Sequence, residues 1–169
     1  HALAIQALRE LVYLEGQKDS KSYSSKIKDR LVEIAQLTER QATESAYFCL
    51  HHRAFLLTRS KRPVTHDEVE KEHLELKQHP LLQEPVLNHS FFSQVYYWQA
   101  KASLSHLEGN MAEAASYSKE IVHLWRADHR QHLQKEHARL FIIHLHNFVS
   151  LAIGAARYEE GEEYLNIMD

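Results

Sequence analysis

Turn signals recur along this chain about every 47 residues, and that spacing limits the fold more than any single residue does. They are Gly16 in Leu14-Glu15-Gly16-Gln17, Pro63 in Lys61-Arg62-Pro63-Val64-Thr65, Gly109 in Leu107-Glu108-Gly109-Asn110, and Ala156-Arg157 after Gly154. Their spacings are 47, 46 and 47 residues. A fixed period of this size marks stacked supersecondary units, each too small to bury its apolar face alone, rather than one closed globule. Arrays of this kind present extended binding surfaces.

The units are helical. Glycine and proline number only 4 and 3, and the residues between turns are mostly good helix formers. No run of strand-like alternation is bounded by turn clusters. Ile5, Leu8, Leu11 and Val12 lead to the first turn, and Ile27, Leu31, Ile34, Ala35 and Leu37 follow it, at the spacings of amphipathic helices. The pattern reads as an all-α array of about four antiparallel hairpins, over about 1–37, 39–78, 88–126 and 130–169, in a single domain 1–169. Thr65, with Glu68 three residues on, has the capping-box arrangement, and Asp19 or Ser20 could cap the helix after Gly16. The segment 79–85, with Pro80 and Pro85, is expected to be the longest irregular connection. The chain begins and ends within helix-like sequence, as a fragment of a longer protein would.

The formal charge of −3 gives no footprint for a phosphate backbone, so nucleic acid is not an expected partner. One cysteine, Cys49, cannot form an internal disulfide, which fits a reducing, cytoplasmic setting. The most apolar run, 140–153, carries two histidines and an asparagine and falls short of the about 20 residues that a bilayer span needs. It is expected to be a buried helix rather than a membrane segment.

The third unit resembles a tetratricopeptide repeat. Trp98, Ala102, Gly109, Met111, Ala114 and Tyr117 follow that family's order of aromatic, small, glycine, bulky, alanine and aromatic residues. The fourth unit is a weaker copy, with Gly161 in the usual small position, and the first two match poorly. The family period is about 34 residues, so the unit here is longer than the standard one. The resemblance implies an α-solenoid with a right-handed superhelix, whose concave groove is lined by the first helix of each hairpin.

Setting that pattern on the four turns brings Gln6, His52, Gln99 and His146 to one equivalent position. One turn further lie Glu10, Leu56, Ser103 and Ser150, followed by Tyr13, Arg59, His106 and Ile153. With Tyr96, the expected groove is therefore Gln6, Glu10, Tyr13, His52, Arg59, Tyr96, Gln99, Ser103, His106, His146 and Ser150. Its mixture of aromatic, amide, imidazole and hydroxyl groups suits an extended peptide or a partner helix. Basic residues are not concentrated on it, so a clamp for a terminal carboxylate is not expected.

Histidine is abundant, 14 in all. His66, Glu70 and His73 share one helical face, as do His129, His132 and Glu136, so each trio could offer three ligands to one ion. Glu70-His73 and Glu120-His123 repeat the Glu-x-x-His spacing of di-iron bundles, but no more often than the composition alone gives. Neither a metal nor any other cofactor is expected. His144 and His146 differ from the rest in lying inside the apolar run, with His146 assigned to the groove. No Gly-x-Ser-x-Gly, Gly-rich phosphate loop or His-Glu-x-x-His occurs. The expected function is a non-enzymatic scaffold that binds a peptide or protein segment, a second copy of the chain being an admissible partner. A peptide-sensing regulatory domain and a metal-binding helical bundle are the alternatives.

Overall fold

The computed structural model describes residues 2–18, 25–59, 66–84, 90–127 and 131–165. Among them the chain is helical and contains no strand: α1 (Ala2–Lys18), α2 (Ser25–Arg59), α3 (His66–Lys77), α4 (Pro80–Gln83), α5 (Phe91–Leu107), α6 (Met111–Arg126), α7 (Gln131–Glu136), α8 (Ala138–Gly154) and α9 (Tyr158–Leu165). None of these is long and apolar enough to cross a membrane. The chain divides into two compact units, His1–Ala46 and Tyr47–Asp169, where one domain was expected.

The first two expected hairpins are not formed as drawn. Gly16 lies inside α1, and α2 runs for 35 residues straight through the boundary expected at 37–39. The physical reason is local: α2 has neither glycine nor proline. Its two mid-helix threonines turn their hydroxyls back onto the helix, Thr38 Oγ1 donating to the Ile34 carbonyl at 2.7 Å and Thr43 Oγ1 to that of Glu39 at 3.0 Å. Pro63, Thr65, Asp19 and Ser20 lie outside the described residues. In the unit His1–Ala46, Ile5 and Ile27 are buried, while Leu3, Leu11, Leu14, Leu31 and Val32 are exposed.

The unit Tyr47–Asp169 holds the larger core. Tyr47, Leu50 and Ala54 of α2 pack with Leu76, Leu82 and, from α5, Tyr97, Ala100 and Leu104. Consecutive packing then carries α5 onto α6, α6 onto α8 and α8 onto α9. Trp125 closes the α5–α6 layer with Val95 and Ile121, and Phe148, Leu145 and Tyr164 close the next one with Val122. The residues that carried the repeat resemblance meet here: the Trp98 and Tyr117 rings stack at 5.6 Å, and Ala114 is fully buried.

Both later turns fall where the 47-residue spacing put them, and they share one backbone design. Gly109 has φ +77°, Asn110 N–H bonds to the Ser105 carbonyl and Gly109 N–H to that of His106. Forty-seven residues on, Ala156 has φ 58°, Arg157 N–H bonds to Ala152 and Ala156 N–H to Ile153. Each is a Schellman cap, which satisfies the last helical carbonyls by way of a left-handed residue. At Ala156 that residue carries a Cβ, which costs about 1 kcal/mol or more in this region. Ala156→Gly is therefore expected to raise stability by about 0.5–1 kcal/mol in urea unfolding.

The fourth unit departs from expectation in its first helix. A hairpin over 130–169 calls for one helix before the Gly154 turn, and that stretch instead breaks at His137 (φ −120°, ψ 35°) into α7 and α8. No glycine or proline marks that break. The His137 ring stands edge-on to Phe92 at 5.3 Å, a tertiary contact invisible in local sequence. The apolar run is half-buried rather than buried: His144, Leu145, Phe148, Val149 and Ala152 face inward, and Ile142, Ile143 and Ile153 are exposed.

Candidate functional site

A pocket of about 550 Å³ opens between α2, α5, α6 and α8, wholly within the unit Tyr47–Asp169. Helical period decides who lines it. On α2, His51, Phe55 and Arg59 are four residues apart and form one ridge. On α5, Gln99, Ser103 and His106, at spacings of four and three, form another ridge facing His144, Asn147 and Ser150 on α8, with Ser118 and Ile121 of α6 as the floor.

Five of the expected groove residues, Arg59, Gln99, Ser103, His106 and Ser150, are thus brought together. Three others in the same unit are not on the lining. His52 is exposed and packs its ring 4.2 Å from Phe48, Tyr96 lies behind the wall stacked on His51 at 6.0 Å, and His146 is exposed on α8. Gln6, Glu10 and Tyr13 are exposed on α1 in the other unit, where Glu10 and Tyr13 border a shallow depression with Arg9 and Leu14. His51 replaces His52 because one residue along a helix is about 100° of rotation, and His144 replaces His146 for the same reason at two residues. The signal for His144 was available. It stands one residue before Leu145 and four before Phe148, on the inward stripe.

The wall around His144 is a hydrogen-bonded chain. Trp125 Nε1–H donates to His144 Nδ1 at 2.7 Å, and the Gln99 amide meets His144 Nε2 at 2.9 Å. Burial, reinforced by the neighbouring His51, pushes the His144 imidazole down to about 4. Burial and then His52 do the same to His51, also about 4. At neutral pH both rings are uncharged. Arg59 lays its guanidinium 4.7 Å above the Phe55 ring, a cation–π contact at the pocket edge. No carboxylate lines the pocket among the described residues.

Chemically, the site offers hydroxyl, amide and neutral imidazole groups beside the apolar side chains of Phe55, Ile121 and Leu151. The hydroxyls of Ser103, Ser118 and Ser150 and the amide of Asn147 make no hydrogen bond among the described residues, so their capacity is open to a ligand. Among the described residues no group of three candidate metal ligands gathers. His73 instead stands 3.1 Å from Glu108, and the His66 side chain and His129 lie outside the described residues.

A second depression, between α3, α5 and α6, is occupied by its own network. Glu113 accepts hydrogen bonds from Ser105 at 2.8 Å and Tyr117 at 2.9 Å, which holds its carboxyl below the usual range. Burial and that same carboxylate push the Tyr117 hydroxyl up to about 12. Lys77 pairs with Glu108 at 2.6 Å across the same space. These groups satisfy one another, so the α2–α5–α6–α8 pocket is the better candidate. No family model matches this chain, and neither a curated protein nor a solved structure matches it.

Proposed function

We propose that this chain is a non-enzymatic protein-interaction module, a tetratricopeptide-like helical array that takes a peptide segment into the pocket between α2, α5, α6 and α8. One observation carries the reading: Arg59, Gln99, Ser103, His106 and Ser150, five of the eleven residues that the tetratricopeptide pattern set on the turns assigns to the groove, line one pocket of about 550 Å³. Two others support it. The left-handed residues Gly109 and Ala156 stand one period apart in matching caps, and Trp98 and Tyr117, the two aromatic residues of the repeat resemblance, stack across the α5–α6 pair. The array reading applies to the helices from α5 onward, since α2 is continuous across the first boundary. Cys49, unpaired and exposed, favours a cytoplasmic setting.

Selection of displayed random peptides on the wild-type protein tests the proposal. Asn147 and Ser150 are both exposed and make no hydrogen bond among the described residues, so their joint replacement by alanine should change stability by no more than about 0.5 kcal/mol each. The selected peptides should nevertheless bind that variant at least tenfold more weakly, about 1.4 kcal/mol. Equal affinity would count against the pocket.

A further inference from the structure

The chain Trp125–His144–Gln99 fixes the polarity of the pocket, because each member dictates the protons of the next. An indole N–H can only donate. His144 Nδ1, 2.7 Å from Trp125 Nε1, must therefore be an acceptor. The ring is 2 % exposed and neutral at pH 7, so its one proton sits on Nε2. The structure sets Gln99 Nε2 2.9 Å from that atom, where two N–H donors would meet head-on. Amide oxygen and nitrogen occupy interchangeable positions, and the count of protons decides between them. A half-turn of the amide puts Gln99 Oε1 on the His144 N–H and turns the Gln99 NH₂ the other way. Gln99 makes no second hydrogen bond among the described residues, and it lines the pocket.

We infer that His144 is a positioning residue that holds Gln99 as a hydrogen-bond donor to the pocket, and that the pocket is built for a neutral acceptor, the main-chain carbonyl of an extended peptide. This rests on the pocket being the binding site, and it adds what the site reads. The hydroxyls of Ser103 and Ser118 can donate alongside Gln99, which matches successive carbonyls rather than a point charge. Among the described residues the lining's one permanent cation, Arg59, is held over Phe55 at the edge. A charged terminus would have to be drawn to that edge, away from the Gln99 end.

Two measurements test this. Long-range ¹H–¹⁵N correlation spectra of the wild-type protein at pH 7 report the His144 tautomer directly, with no variant that could misfold. The inference requires a single Nε2–H form; an Nδ1–H form, or an average of the two, would overturn it while leaving the pocket assignment untouched. The second is titration by amide NMR with N-acetyl-trialanine N-methylamide, a neutral main-chain probe, and with its free-acid counterpart. The neutral probe should move the Gln99 NH₂ signals and bind Gln99→Glu at least tenfold more weakly, since a carboxylate can still accept from His144 but has nothing to donate. Tighter binding of the free acid, lost in Arg59→Gln and kept in Gln99→Glu, would show an anion site and overturn the inference. Unchanged binding of the neutral probe to Ser103→Trp, which fills the pocket, would instead overturn the pocket assignment itself.

Discussion

Replacing Trp125 with alanine is expected to cost about 3–5 kcal/mol, the range for deleting a buried aromatic side chain. Trp125 is fully buried and packs edge-on against Phe91 at 4.6 Å, with Phe141 at 6.0 Å and Val95 and Ile121 around it. It joins α5, α6 and α8, so the cavity would open at their meeting point, beside the pocket. The truncation also strands His144 Nδ1, a buried acceptor whose loss of partner costs a further 1–3 kcal/mol or so. Trp125→Phe separates the terms, because it keeps most of the volume and loses chiefly the donor, and about 1–3 kcal/mol is expected there. Urea unfolding followed by the fluorescence of Trp98 checks both. That residue lies in the same unit, so the signal reports Tyr47–Asp169 alone.

Acid should be the second large effect, and its pH window identifies its source. His51 and His144 are held at about 4 by burial, against about 6.5 in an unfolded chain. Between those values the unfolded chain takes up protons that the folded one refuses. Stability is therefore fully present above about pH 6.5, falls as the pH drops, and levels off near 4 for these two groups. The separation corresponds to roughly 3 kcal/mol for each ring. Carboxylates act in the same direction but lower down. Glu160, held at about 2 first by the Arg157 hydrogen bonds and then by Lys119, loses its contribution only below about 4.5. A decline in urea midpoint between pH 7 and pH 5 is thus a histidine signature. His144→Gln, whose amide can still accept from Trp125, should remove about half of that decline; an undiminished slope would contradict the assignment.

Much of the later half of the chain was legible because its signals are local. Gly109 can take φ +77° where few residues can, Asn110 accepts from Glu113 N–H at 3.2 Å, and the helices around them ended within a residue or two of expectation. The period itself turned out to be a repeat of backbone conformation, with Ala156 adopting the left-handed geometry despite its side chain. The first half failed for a matching reason. The boundary at 37–39 rested on the period alone, and a stretch without glycine or proline has no local reason to stop being helical. His137 shows the converse, a helix break without a breaker, tied to packing on Phe92.

The site was legible in outline and misread in register. Arg59, Gln99, Ser103, His106 and Ser150 came from the tetratricopeptide pattern set on the periodic turns, which fixes position along a helix well. Rotation about the helix is set by which residues are buried, and a one-residue error exchanges His51 for His52. The burial of His144 was legible from the inward stripe of α8, but its hydrogen-bonded partners and the uncharged state of His51 had no sequence signal. These depend on burial by three separate helices and on a tryptophan 19 residues from His144.

The most direct test of the central claim is the affinity of peptides selected on the wild-type protein, measured side by side on two double variants by titration calorimetry. One removes pocket side chains, Asn147→Ala with Ser150→Ala. The other removes exposed histidines that lie off the pocket, His52→Ala with His146→Ala. A loss of tenfold or more confined to the first is the predicted result; equal affinity for both, or a loss confined to the second, would contradict it.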